Sequence, residues 1–429
     1  MRVSGRKGKR AALAPCAAGQ RGPEPGPMST DANSAQAVSP DSGAANEAPA
    51  LAQKILLVTD AWEPQVNGVV RTLSNTMREL QAMGCEVEVI SPADYPNTVP
   101  LITYSEIRLA LGAREDVEDR FLSFAPDAVH IATEGTLGWD ARAICLKHKF
   151  PFTTSYHTQF PEYVTARFPW IPLWAGYRYM HAFHDKSGRV MVATPTMQKQ
   201  LELQGFRNTA IWSRGVDIEQ FHPSKRGVDG GVFKDLPKPV FAYVGRVSVE
   251  KNIEAFLQLD LPGSKVIVGG GPALDELKVK YADAIFAGPK FGEELARYYA
   301  DADVFVFPSF TDTFGLVILE AAACGTPVAG FVAPGPQDIL PGTGAGIVDN
   351  DLQKACLEAL KLKREDARAL AEKYSWAACA EEFRRNLEPL PKERGRRFWH
   401  KLADLRKRAR ERRRIAREKR AAERARAEN

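Results

Sequence analysis

From residue 54 onward, short unbroken apolar runs alternate with longer stretches in which apolar residues return every three or four positions. The first run is Lys54-Ile-Leu-Leu-Val-Thr-Asp60. Its branched residues, without polar alternation, predict a strand buried on both faces. A loop, Ala61–Gly68, leads into a helical pattern through Val70, Leu73, Met77 and Leu80 that closes near Gly84. Glu86–Pro92 reads as the next strand. This order is the repeating unit of a doubly wound α/β sheet. Further strands are predicted over Asp127–Ala132, Phe152–Tyr156 and Arg189–Thr194, and helices over Gly138–His148 and Met197–Gln204. The aromatic-rich segment Glu162–Asp185 also reads as helical.

A stretch rich in Pro, Gly and Lys, from about Phe221 to Pro239, reads as a linker. A second series then begins, with strands over Pro239–Val244, Lys265–Val268, Val304–Phe307 and Thr326–Gly330. Its helices are expected over Ile253–Leu259, Pro272–Lys280, Glu293–Ala300, Phe314–Cys324, Gln353–Leu362 and Asp366–Glu372. The fold class is therefore α/β, with two parallel-sheet domains over residues 54–222 and 238–375. Ligands of such sheets bind at the C-terminal strand ends, so the expected site is the cleft between the domains.

Composition alters the picture mainly at the ends. Residues 1–53 are rich in Ala, Gly, Pro and Ser and are expected to be disordered. Met28 is a second candidate start within that leader. No apolar run follows the basic residues Arg2–Arg10, which argues against a signal peptide, and no run approaches a membrane span. Six scattered cysteines argue against a disulfide framework or a zinc cluster and suggest reduced thiols in a cytoplasmic protein. The net charge of +5 is uneven: residues 392–429 hold 17 Lys and Arg against 6 Asp and Glu, so the remainder is acidic. In that tail Phe398, Trp399, Leu402 and Leu405 recur at helical spacing, and Arg406–Arg426 is almost all strong helix formers. A basic helical tail suits docking on the anionic inner face of a membrane, although a solvated charged helix has the same composition. The acidic body argues against nucleic acid as a partner.

Five segments carry candidate chemistry. In Tyr243-Val-Gly-Arg-Val-Ser-Val-Glu-Lys-Asn252, a strand ends on Gly245, with Arg246 and Lys251 around a loop that leads into a helix; two cations there suit a diphosphate. Spacing alone does not separate this from a solvated loop. In Pro308–Val328, Asp312 follows a strand, Thr313, Phe314, Gly315 and Leu316 open a helix, and Glu320 lies within an otherwise apolar stretch. A carboxylate there needs a partner; vicinal ribose hydroxyls fit, as does a nearby Arg. His157 directly follows the strand Phe152–Tyr156. Asn67 and Gly68 end the first loop, where a small residue permits close approach of a ligand. Arg214-Gly-Val-Asp217 ends the first domain, where Arg214 either enters the cleft or pairs with Asp217. No second ligand accompanies His157 at metal-binding spacing, so no metal is expected.

Taken in order from about Lys54 to Leu387, these segments resemble the retaining nucleotide-sugar glycosyltransferases of family 4, which have the GT-B architecture of two facing Rossmann-like domains. Tyr374–Phe383 resembles the start of that family's closing helix, expected over residues 376–390, which returns to the first domain. His157-Thr-Gln-Phe-Pro-Glu-Tyr163 and Trp212-Ser-Arg-Gly-Val-Asp217 look most like bacterial GDP-mannose-dependent α-mannosyltransferases and sulfoquinovosyl-diacylglycerol synthases. The resemblance implies a nucleotide-sugar donor, a lipid or glycan acceptor bound on the N-terminal domain, and no metal or other cofactor. It further implies that Arg246 and Lys251 hold the diphosphate, Glu320 the ribose and His157 the transferred sugar, and that Gly68 approaches the phosphate. The family usually has Glu where this chain has Asp312, one methylene shorter, which leaves the sugar open. A UDP-sugar-dependent glucosyl or sulfoquinovosyl transferase is the alternative, and a catalytically silent sugar-nucleotide-binding scaffold is the alternative from another class.

Overall fold

The computed structural model describes residues 51–65, 67–101, 104–391, 394–395 and 397–402; the expected disordered leader up to residue 50 and the basic tail beyond residue 402 lie outside them. The first half contributes β1 (Lys54–Val58), β2 (Glu86–Ile90), β3 (Thr98–Leu101), β4 (Tyr104–Ala110), β5 (Ala128–Ile131), β6 (Phe152–Tyr156), β7 (Val190–Val192) and β8 (Thr209–Ile211). Strands β3 and β4 pair antiparallel on their own, while the others form one parallel sheet in the order β2-β1-β5-β6-β7-β8. The second half contributes β9 (Val240–Val244), β10 (Ser264–Val268), β11 (Ile285–Gly288), β12 (Val304–Phe307), β13 (Val328–Gly330) and β14 (Gly346–Val348). These form a second parallel sheet, β11-β10-β9-β12-β13-β14.

The unbroken apolar runs are explained by what covers each face. In β1, Ile55 and Leu57 face the helix Gly68–Ala82 through Leu73, Met77 and Leu80, while Leu56 and Val58 face Phe121, Ile144 and Phe152. Strand β9 divides likewise: Phe241 and Tyr243 pack with Ile253 and Phe256, whereas Val240, Ala242 and Val244 pack with Tyr299, Phe305 and Ile318. A strand covered on both sides has no polar face to show, so alternation disappears.

Several elements depart from expectation. The hairpin β3–β4, the helix Arg114–Phe124 and the strands β11 and β14 were not foreseen. The aromatic segment forms two helices, Phe160–Arg167 and Leu173–His184, separated by a link containing Pro169 and Pro172. Each proline removes a backbone donor and disfavours helix in the residue before it.

The helix Trp376–Asn386 lies against the first sheet. Its Ala380 and Phe383, with Leu387 beyond, join the core around Ile55 and Leu57, and Asn386 donates to the Ile211 carbonyl at 2.6 Å. Further on, Phe398 and Trp399 pack on Phe121 and Phe150, with ring centroids 5.2 to 5.7 Å apart. Phe398 and Trp399 are therefore packed on the protein's own core.

Two chain segments link the sheets, one around Gly215 and one around Trp376. They run side by side: Val216 N–H donates to the Tyr374 carbonyl at 3.0 Å, and a Cβ on Gly215 would lie 2.5 Å from the Trp376 nitrogen. Only glycine allows the two backbones so close. Among the described residues, no helix is long and apolar enough to cross a membrane, and Cys85, Cys145, Cys324, Cys356 and Cys379 are buried and free.

Candidate active site

The site is built from loops at the C-terminal ends of both sheets. After β9, Gly245 adopts φ +153, and a Cβ there would fall 2.8 Å from the Tyr243 hydroxyl. That hydroxyl donates to the Arg246 carbonyl at 2.8 Å and shapes the turn. Lys251 closes a short 3-10 turn and is followed by a helix of only five residues, Ile253–Leu257. So short a helix supplies little dipole, and the loop's positive charge comes mainly from Arg246 and Lys251 themselves. Ser248 Oγ, buried in the same turn, has no hydrogen-bond partner among the described residues.

The loop after β12 is stitched to this turn. Thr311 Oγ1 donates to the Glu250 carbonyl at 3.1 Å, and Asn252 Nδ2 to the Pro308 carbonyl at 3.1 Å. Those bonds bring Lys251 Nζ to 2.5 Å from Asp312 Oδ1. Burial pushes the Lys251 ammonium down, but Asp312, Tyr163 and Tyr243 outweigh it, so it stays protonated well above its ordinary range. Gly315, at φ +85, begins the helix Leu316–Ala323, and Phe314 is buried edge-on to Tyr374, so it offers backbone, not its ring.

Within that helix Glu320 is almost fully buried. Tyr299 donates its hydroxyl to Oε2 at 2.8 Å, and Arg71, from the first sheet's helix Gly68–Ala82, grips Oε1. The carboxylate thus has an arginine partner, contributed from 249 residues away across the cleft.

On the first sheet, His157 follows β6 as expected. Its Nε2 lies 2.8 Å from Ser155 Oγ and its Nδ1 3.4 Å from Arg214 Nη2. Ser155 donates to the Ala132 carbonyl, so it accepts from His157 Nε2–H, which leaves Nδ1 to accept from Arg214. Burial first, then the nearby Arg214 charge, holds the His157 imidazole neutral far below its usual range. Arg214 is itself buried, stacked on Trp212 at 4.5 Å, and burial lowers its pKa to about 10. It does not pair with Asp217, which instead accepts from the Glu219 and Gln220 backbone.

The two halves meet directly. Thr313 Oγ1 donates to the His157 carbonyl at 2.8 Å, and Gln159 Nε2 reaches the Asp312 carbonyl at 3.5 Å. Tyr163 lies in the field of Lys251 and Asp312. Gly68 faces Leu316, where an added Cβ would meet Leu316 Cδ1 at an ordinary 3.7 Å. Asn67 caps the helix instead of facing the cleft: its Oδ1 accepts from Val69 and Val70 N–H at 3.0 Å.

Some of the site was not foreseen. Arg71, Tyr163 and Tyr299 lie on helices where they read as ordinary face residues. Gly269 and Gly271, after β10, let that loop pack on the carbonyls of Gly245 and Val247; a Cβ at Gly269 would sit 1.8 Å from the former. The run Gly269-Gly270-Gly271 directly after a strand was the available signal. Two Asp-x-Asp spacings serve the fold. Asp301 accepts from Gly227 and Val232 N–H, Asp303 holds Arg226 and Val240 N–H, and Asp351 caps the helix Leu352–Ala359. A cavity of about 520 Å³ lined by Arg226, Lys238, Asp303 and Arg364 lies at the opposite strand ends, and its arginines are committed to the carbonyls of Ala300 and Ala302.

Two parallel α/β sheets with this loop chemistry between them define the class of sugar-transferring enzymes with two Rossmann-like halves. Residues 66–220 match the model of Glycosyltransferase Family 4, and residues 238–373 that of Glycosyl transferases group 1. The sulfoquinovosyl transferase of Arabidopsis thaliana is 30% identical over 74% of this chain and 70% of its own length. A GDP-mannose-dependent α-mannosyltransferase of Mycobacterium tuberculosis is 30% identical over 69% of this chain and 83% of its own. Among solved structures, sucrose-phosphate synthase from Thermosynechococcus elongatus shares the fold, with a TM-score of 0.64 and 22% identity over 77% of this chain and 97% of that one. The chain belongs to glycosyltransferase family 4 and has the GT-B fold.

Proposed function

We propose that the protein transfers a hexose, with retention at the anomeric carbon, from a nucleotide sugar to a lipid or glycan acceptor, and that mannose from GDP-mannose is the donor group. The residues after β9 and β12 take the nucleotide and diphosphate, and the first sheet takes the acceptor. The observation that carries this reading is the Thr313–His157 bond, which joins the cation loop and the His157–Arg214 pair into one cleft. The buried Ser248 hydroxyl beside Lys251, without a hydrogen-bond partner among the described residues, supports an anionic oxygen in that loop. As the bond from anomeric carbon to phosphate oxygen breaks, charge develops on the diphosphate, and Arg246 and Lys251 stabilise it. The departing phosphate oxygen takes the acceptor's hydroxyl proton, and the acceptor oxygen closes on the anomeric carbon from the same face.

A UDP-linked glucose or sulfoquinovose is the second reading. The plant sulfoquinovosyl transferase is as similar as the mannosyltransferase, and Asp312 is shorter than the family's usual glutamate. The Lys251–Asp312 pair and Glu320 weigh against a silent scaffold. The test is transfer of radiolabel from GDP-mannose, UDP-glucose and UDP-sulfoquinovose to extracted lipid and glycan acceptors, with Lys251→Ala as the control. Label transferred from GDP-mannose and lost in the variant is expected. Transfer from a UDP sugar alone overturns the mannose reading, and transfer from none of them overturns the whole.

A further inference from the structure

The link between the helices Phe160–Arg167 and Leu173–His184 carries two strongly exposed tryptophans. Trp170 is 76% exposed and Trp174 is 67% exposed, with Leu173 beside them at 41%. Isolated exposed apolar residues need no explanation, but two indoles and a leucine within five positions are costly to leave in water. The link is held on several sides. Pro169 and Pro172 fix the link, Phe168 lies edge-on to Trp170 at 5.3 Å, and Gly176 lets the two helices close onto Pro161. Tyr177, Met180 and Phe183 bury the inner side of the second helix, so the tryptophans project from a face already anchored.

Charge narrows what this face can meet. Between Glu162 and Asp185 the sequence contains no Asp or Glu, whereas Arg167 and Arg178 are exposed. Indole favours the boundary between headgroups and acyl chains, and arginine beside it meets anionic headgroups. The same hairpin also reaches the reacting centre: Gln159 bonds the Asp312 carbonyl, and Tyr163 stands by Lys251. The eight-residue helix Phe160–Arg167 runs from Gln159 towards the tryptophans, a span of roughly 12 Å at ~1.5 Å per residue, with Tyr163 midway along it. That is the scale of a lipid headgroup standing above the acyl boundary.

We infer that the Trp170–Trp174 face docks this protein on an anionic lipid bilayer and holds the cleft one headgroup's height above it. The inference deepens the lipid-acceptor reading of the site and differs from docking through the basic tail, whose apolar start is packed on Phe121 and Phe150. Electrostatic attachment by a tail fades as salt screens it, whereas indole insertion persists.

The test is co-sedimentation of the full chain with vesicles of phosphatidylglycerol and phosphatidylcholine, at low salt and at high salt. Trp170→Ser/Trp174→Ser is expected to lower partitioning at high salt at least tenfold with an unchanged Tm, and Arg167→Glu/Arg178→Glu to lower it at low salt. Partitioning of the tryptophan variant within twofold of the parent overturns the inference. So does a parent dimer, seen by light scattering, that the variant dissolves while neither protein binds vesicles, because the face then covers a second copy. Vesicle binding with sugar transfer only to soluble glycans leaves the docking intact and refutes the lipid acceptor. Transfer to lipid in detergent without vesicle binding does the reverse.

Discussion

Arg71 offers a test with a definite sign. Glu320 is 4% exposed, one of its oxygens is taken by Tyr299, and the other is covered by the Arg71 guanidinium. A ribose hydroxyl that is to take the place of Arg71 on Oε1 must first displace it. Breaking a fully buried ion pair costs ~3–5 kcal/mol, and an exposed one contributes ~0.2–1 kcal/mol. The Arg71 side chain is 36% exposed, so its pair must be discounted for solvent screening, which leaves about 1 kcal/mol. Removing that competition in Arg71→Ala should tighten nucleoside diphosphate binding about fivefold, at about 1.4 kcal/mol per tenfold. The gain should shrink as salt rises. Calorimetric titration of GDP and UDP into both proteins at two ionic strengths measures it, with a thermal melt to confirm folding. Weaker binding by the variant would refute the reasoning, since Arg71 would then be serving the ligand.

Three further outcomes are expected. Asp312→Glu, which restores the family's usual side chain, should keep activity within about tenfold, while Asp312→Ala, leaving Lys251 unpaired, should lose ~10²-fold or more in kcat; equal losses in a transfer assay would show that length, not charge, governs this position. Asn67→Ala should cost ~1 kcal/mol of stability through the lost helix cap, with little change in donor KM, and a large rise in KM would place the amide on the donor. Burial holds His130 at a pKa of about 3 in the folded protein, below its ordinary value, so between that and about 6.5 only the unfolded chain takes up the proton. Its contribution is present above pH ~6.5 and lost as pH falls, by about 2 kcal/mol at pH 5; urea unfolding of His130→Gln should therefore show a shallower loss between pH 7 and pH 5 than the parent.

The central strands were legible because burial on both faces leaves an unbroken apolar signature, as in β1 and β9. The strands missed lie at or beside sheet edges: β11 and β14 are short and only half buried, so Ile285-Phe-Ala-Gly288 and Gly346-Ile-Val348 look like any apolar fragment in a loop. Proline punctuation marked the break in the aromatic segment, but its total helical content masked it. In the site, Lys251, Asp312 and Glu320 stood out as charges where the pattern was otherwise apolar or glycine-rich. Arg71 did not, because its partner is set by how the two sheets face each other, and no local spacing encodes that. Asn67 stands at a loop end in the sequence, but its side chain is used by the helix it opens.

The paired crossing at Gly215 and Trp376 has a mechanical consequence. A single linker would let the two halves swivel freely about many axes. Two adjacent segments, bonded from Val216 to Tyr374, would act like a leaf hinge, bending across their common plane more easily than twisting. Opening and closing would then follow nearly one path, and each closure would return Thr313 to the same carbonyl of His157. The side chain that Gly215 lacks is what keeps that leaf thin; alanine there would wedge the two segments apart.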